Sequence, residues 1–350
     1  MKCFIALMQV LVFNLVSLEV LAQQQELILY DYEGYVNHRL IAKFEQESGI
    51  KVTVKTFTGM PIADDLVRKS KDDFDLIAGT HYILEGWIKN NKIMPLDFSL
   101  LPNYTNLNKE FLQKLNVIDK GNKHVVPYIS GIAMLALNKN IANAIWQDDV
   151  PNTWGLIFNE KYAAKLAQCG IALGQSPLQT YSTFVLYKAK NLKLSESYIK
   201  KITNEMLQLK PYYRYANNAP IVDDLKSGKI CAAFGWSSFN QIDEITLLEP
   251  IEGMPMYIDV WAIPAHAKNA YAAHSFIDFT MRPENAAEIA KHSKGIIAVN
   301  GAADFVDTNL AQNKLIFPDD KDVRRMYLFQ NLNDEQKNLM LEEWSRFNKF

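Results

Sequence analysis

The stretch from Glu26 to Thr80 constrains the fold more tightly than any other part of the chain. ELILYDYEGYV reads as a strand ending near Tyr30, followed by a loop. HRLIAKFEQESG then places Leu40, Ile41 and Phe44 on one face of a helix, with Gly49 as its stop. IKVTVKTF alternates like a half-buried strand, and PIADDLVRKS reads as a second helix. FDLIAGT is a continuous apolar run, the pattern of a strand covered on both faces in a parallel sheet. An order of strand, helix, strand, helix, strand needs crossover connections, so the segment predicts an α/β unit with a parallel sheet.

A second series begins near GIAMLALNK. NEKYAAKLA reads as helix, CGIALG as strand, TYSTFVLYKAK and ESYIKKITNEMLQLK as helices, and ICAAFGW as strand. MYIDVWAIP opens a further strand, followed by one amphipathic helical stretch, NAYAAHSFIDFTMRPENAAEIAKH. The C-terminal segments DVRRMYLF and DEQKNLMLEEWSRFNKF read as helical. Two α/β units with a return segment imply two lobes joined by more than one chain crossing. Ligands in open α/β sheets sit outside the C-terminal ends of strands. That rule singles out residues 30–35, 79–82, 174–179 and 235–239.

The length of 350 residues accommodates two such units. The net charge of −2 comes without a basic block, which argues against a nucleic-acid partner. At the N-terminus, Lys2 precedes an apolar run from Phe4 to Val16 and then Val20-Leu21-Ala22. Small residues at −3 and −1 predict a signal peptide over 1–22 with cleavage after Ala22. The run is short and interrupted by Gln9 and Asn14, which argues against a permanent membrane span. Two cysteines then remain, Cys169 and Cys231. An even count in an oxidising compartment favours a disulfide, the alternative being two separate buried thiols.

Motifs for catalysis are weak. GQSPL around Ser176 is half of a nucleophile elbow, but Leu178 stands where the second glycine belongs. The six histidines are scattered, with no zinc-ligand spacing and no Gly-rich phosphate loop after a strand. No catalytic residue, metal or cofactor is therefore expected. The informative pattern is aromatic: Tyr32, Tyr35, Tyr82, Trp236, Phe239 and Tyr257 fall at strand ends or the loops after them. Any one of them alone is ordinary core. Together, with Glu33 and Asp259 beside them, they read as a box for an organic cation, since ring faces attract ammonium groups and a carboxylate pairs with the charge. Asp259, inside the apolar run from Tyr257 to Ile263, is costly to bury without such a partner.

Across nearly the whole chain after the leader, the sequence resembles the periplasmic polyamine-binding proteins of ABC transporters. The resemblance is carried by LILYDYEGYV, FEQESGIKV, FDLIAGTHYILEGWI, MPLDFSLLPNYTNL, HVVPYISGIAMLALNK, CGIAL, GKICAAFGW, DVWAIPAHAKN and FTMRPENAAEIA. It implies a type II two-lobed α/β solute-binding fold, each lobe a mostly parallel sheet flanked by helices, with the ligand cleft between them. The expected lobes are 23–132 with 258–300, and 133–257 with 301–350. The paired cysteine segments look most like the putrescine-binding branch, which strengthens the expected Cys169–Cys231 bridge.

The family's ligand residues map here onto Tyr32 and Glu33 in the first loop, with the acid displaced by one position, and onto Thr80 and Tyr82 after the third strand. Trp236, Tyr257 and Asp259 match directly. Ser176 and Gln179 stand where the family has acids, and Phe239 replaces another acid. The implied function is capture of an amine such as putrescine or spermidine in the periplasm, as a monomer, for a membrane permease. A less charged amine, a sensor role and an exported hydrolase are the alternatives.

Overall fold

The first unit builds as the sequence predicts. Strand β1 (Glu26–Tyr32) pairs in parallel with β2 (Lys51–Phe57) on one side and with β3 (Leu76–Thr80) on the other. The helix His38–Ser48 crosses between the first two strands. It is capped at its start by the Asn37 side chain and at its end by Gly49, whose φ of 72° suits glycine. The computed structural model describes residues 25–349 except 71–72, 148, 175, 190–192 and 217–219, so the expected leader over 1–22 lies outside the described residues.

Two long strands carry the chain between lobes. β4 (Val125–Asn138) is buried along its whole length. The remaining strands are β5 (Ile171–Leu173), β6 (Tyr213–Ala216), β7 (Ala232–Trp236), β8 (Ile245–Leu248), β9 (Met254–Ala262) and β10 (Met326–Leu328). The sheet runs β2-β1-β3-β9-β4-β7-β5-β6, with β10 beside β9 and β8 beside β4. The first half of β4 lies antiparallel to β9, and its second half antiparallel to β7 and β8. One apolar core gathers β1 to β3, the start of β4 and β9; a second gathers β5 to β7 with the C-terminal helix Asp334–Phe347. Among the described residues no helix is long and apolar enough to cross a membrane.

The structure revises three local expectations. Residues 301–350 were expected in the second lobe, but Ala302, Ile316, Val323 and Met326 pack in the first core, and only from Phe329 onward does the chain join the second. The long helix expected after β9 is two, Ala270–Thr280 and Pro283–Ser293, because Pro283 lacks the N–H that would continue the first helix and instead occupies the first turn of the next. DVRRMYLF is not all helix, since Met326–Leu328 extends to pair in parallel with Met254–Met256.

Cys169 and Cys231 are disulfide-bonded, with Cα atoms 5.4 Å apart. The bond joins the turn before β5 to the residue entering β7, two strands that already pair in parallel. It staples the second lobe alone.

Candidate functional site

Antiparallel pairing of β3 with β9 sets Thr80 directly opposite Asp259. Both are 2% exposed, and the Thr80 hydroxyl donates a short hydrogen bond to the Asp259 carboxyl. Because the single Thr80 proton is committed there, the Tyr32 hydroxyl, 2.9 Å away, donates to Thr80 in turn. Tyr35 adds a hydrogen bond to the same carboxyl, and its hydroxyl lies 3.1 Å from that of Tyr257. The outcome is a buried carboxyl ringed by neutral hydroxyls, with no cationic partner among the described residues.

Burial pushes the Asp259 carboxyl up to about 8, the nearby charge of Asp31 acting in the same direction while the bonds from Thr80 and Tyr35 oppose it. Asp31 is a second buried acid just behind the site, itself pushed up to about 7 by burial. It accepts from the Tyr32 amide at 2.7 Å and from the Tyr128 hydroxyl at 3.3 Å. Burial also raises the phenols of Tyr32, Tyr35, Tyr82 and Tyr257, with the Asp259 charge adding to the shift. All four stay protonated donors at neutral pH.

These groups open onto a cavity of about 340 Å³. Its aromatic frame pairs Tyr32 with Tyr35, ring centroids 5.2 Å apart, and Trp236 with Tyr257, 5.5 Å apart at 73°. The Tyr257 ring lies directly against Gly131, its strand partner; a Cβ there would stand 2.6 Å from the ring. Glycine is required at 131 for Tyr257 to hold this position.

Beneath the site, His81 starts the helix His81–Lys89 and is fully buried. Its Nδ1 accepts from the Ile258 amide at 3.2 Å, so Nε2 carries the proton and donates to the Phe329 carbonyl at 3.0 Å. Burial pulls this imidazole down to about 4, which keeps it neutral. It ties β9, one residue from Asp259, to the segment that enters the second lobe.

The structure brings seven of the nine expected ligand residues to this cavity: Tyr32, Thr80, Tyr82, Gln179, Trp236, Tyr257 and Asp259. Glu33 and Phe239 are not among them. The chain reverses at Glu33 and Gly34, the latter at φ 91°, which swings Tyr35 back over Tyr32 and leaves Glu33 exposed. After β7 the chain tightens into a 3-10 turn over Ser237–Gln241. That turn presents Ser237 and Ser238 to the cavity and rolls Phe239 back onto a small apolar cluster with Ala136 and Ala233. Sequence reasoning noted Tyr35 as an aromatic at a strand end but did not carry it into the ligand set, and it missed Ser130, Gly131 and Lys294, which also line the cavity. Ser130 and Gly131 lie in an apolar strand, and Lys294 follows a helix, so neither position carries the signature of a loop after a strand.

A family model described as bacterial extracellular solute-binding protein matches residues 39–318. The chain belongs to this family. Its members bind solutes, which makes the protein a binding protein and not an enzyme. Among curated relatives, the putrescine-binding periplasmic protein PotF of Escherichia coli is 30% identical over 85% of this chain and 84% of its own length. A spermidine/putrescine-binding periplasmic protein of Salmonella typhimurium is 28% identical over 84% of this chain and 83% of its own. Among solved structures, the spermidine/putrescine ABC transporter substrate-binding protein PotD from Streptococcus pneumoniae superposes with a TM-score of 0.79, at 19% identity, over 92% of this chain and 98% of that one. That agreement establishes the two-lobed periplasmic binding fold.

Proposed function

We propose that the protein captures an organic amine in the periplasm and delivers it to the permease of an ABC transporter, acting as a monomer. The relatives are named for putrescine and spermidine, which makes polyamines the starting candidates within that amine class. The observation that carries the reading is a buried carboxyl, Asp259, held among aromatic rings and hydroxyls with no cation of its own. A ligand ammonium meets that need: the carboxylate neutralises its charge, and the faces of Tyr32, Tyr35, Tyr257 and Trp236 replace its water. Closure of the two lobes then follows from contacts that only the closed state completes.

A second reading, a less charged amine, is favoured by the lining itself. Asp259 is its single acid, and Gln179, Ser237 and Ser238 are neutral where a dication would call for a second carboxylate.

A thermal-shift screen of the processed protein against mono-, di- and polyamines, amino acids and sugars tests the proposal, because a specific ligand raises apparent stability by mass action. Stabilisation by amine-bearing compounds and not by sugars is the expected result. A protein stabilised by sugars alone, or whose amine response survives Asp259→Asn unchanged, would overturn it.

A further inference from the structure

Across the sheet, Thr80 at the end of β3, Asp259 within β9, Ser130 within β4 and then the segment around Ile296 follow one another in a row. Ser130 pairs with Ile258, the neighbour of Asp259, and on its other side exchanges both backbone hydrogen bonds with Ile296, at 2.9 and 2.7 Å. Ser130 is 1% exposed and lines the cavity, yet its hydroxyl has no partner. A buried hydroxyl left unpaired at a ligand cavity is a group waiting for a ligand acceptor.

Lys294 stands beside it. It ends the helix Pro283–Ser293 in the left-handed conformation, φ 55°, and is half-buried on the cavity wall. Lys291 on the same helix is ion-paired to Glu288 at 2.7 Å, whereas the Lys294 ammonium has no ion-pair or hydrogen-bond partner among the described residues. Gly295 fixes its place, because a Cβ there would stand 2.5 Å from Ile129, so only glycine lets the segment press against β4.

The lining thus holds one acid, Asp259, and one base, Lys294. A diamine bound there leaves two net positive charges in a largely desolvated space, and a zwitterion leaves none. Resting on the reading of Asp259 as the ammonium pole, we infer that the cleft prefers an amine whose other end is a carboxylate, an ω-amino acid, with Lys294 as the anionic group's partner and Ser130 as a second donor. Ser130 lies about one strand spacing from the Asp259 strand and the Lys294–Ile296 segment about two, roughly 5 and 10 Å at the backbone. A short ω-amino acid has the length to reach from one pole to the other.

Calorimetry of the processed protein at pH 8 with γ-aminobutyrate, δ-aminovalerate, butylamine and putrescine tests this. At least one of the two amino acids is expected to bind about tenfold or more tighter than either butylamine or putrescine. Lys294→Met is expected to erase that preference without lowering the melting temperature, and Lys294→Glu to transfer it to putrescine. Ser130→Ala is expected to weaken the amino acid and leave butylamine unchanged. Putrescine binding more tightly than both amino acids in the wild type, or a ratio unmoved by Lys294→Met, overturns the inference while leaving the amine reading intact. Failure of all four probes together with a null effect of Asp259→Asn in the wider amine screen overturns the amine reading itself.

Discussion

The wall of the cavity contributed by the first lobe carries Asp259, Lys294 and the hydroxyls of Tyr32, Tyr35, Thr80 and Ser130, whereas the wall from the second lobe presents Gln179, Trp236, Ser237 and Ser238. Every formal charge is on one side. The charged side is also the one locked by backbone pairing, through the register of β3, β9 and β4. The neutral side sits on residues following short strands and a helix start. The contrast implies a division of labour: the first lobe recognises charge in a preorganised setting, and the second closes over what has been recognised.

The sharpest way to break that division is at its centre. Asp259→Asn keeps the shape but leaves the ligand ammonium without its counter-charge. The expected loss is about 2–5 kcal/mol, roughly thirty- to several-thousand-fold in affinity. Calorimetry against whichever amine stabilises the wild type reads it directly. Unchanged affinity would make Asp259 a structural acid and remove the basis for assigning recognition to the first lobe.

The second lobe has its own staple, so the two lobes can be separated by reduction. Cys169 and Cys231 close a loop with a sequence separation of 62. For such a loop, chain-entropy arguments put the contribution at about 4 kcal/mol, with measured values often lower. Cys169→Ala with Cys231→Ala should lower the denaturant midpoint and loosen amide protection in β5 and β7 while leaving β1 and β3 protected. Equal loosening of both lobes would mean that they unfold as one unit.

How much of this was legible in the sequence follows from the range of the interactions involved. Helix and strand types came from local periodicity. The rule about strand ends found the segments that supply Tyr32 and Trp236, the last residues of β1 and β7, and Tyr82 and Gln179, in the first turns of the helices after β3 and β5. The facing of Thr80 with Asp259 is a register between strands 179 residues apart, which no local pattern encodes. Ser130 and Gly131 look like core because they are core on every side but one. Glu33 and Phe239 were misplaced by a turn and by a 3-10 coil, where one residue's rotation decides whether a side chain faces ligand or apolar neighbours.

Proton linkage gives a third way to sharpen the comparison, with two groups of opposite sign. Asp259, raised to about 8, keeps a proton in the unliganded fold that the unfolded chain releases near pH 4. Its burial therefore costs stability progressively as pH rises across that window. Bound ammonium requires the ionised form, so binding releases a proton, and affinity should fall about fivefold from pH 8, where half the carboxyl is ionised, to pH 7. His81 acts the other way: lowered to about 4, it refuses a proton that the unfolded chain takes below about 6.5, so its part in stability is present above that pH and lost as pH falls toward 4. Calorimetry in buffers of different ionisation enthalpy should detect proton release on binding near pH 7. Asp259→Asn should abolish the release. A flat pH profile in the wild type would place the ionised carboxylate in the unliganded protein.

The smallest expected effect tests the neutral wall. Trp236 packs edge to face on Tyr257 and meets the cavity from the second lobe, offering a ring face and no charge. A cation beside such a face gains about 1 kcal/mol, so Trp236→Ala should weaken binding by roughly fivefold. If the first lobe recognises and the second closes, that loss belongs to the dissociation rate, because the encounter with Asp259 precedes contact with Trp236. Stopped-flow fluorescence needs a reporter other than the residue removed, and the remaining tryptophans lie elsewhere in the cores, so competition with a labelled amine is the suitable format. Trp236→Phe keeps a ring and should recover most of the affinity. A slowed association rate in Trp236→Ala, with dissociation unchanged, would mean that the second lobe meets the ligand first, reversing the order that the distribution of charge implies.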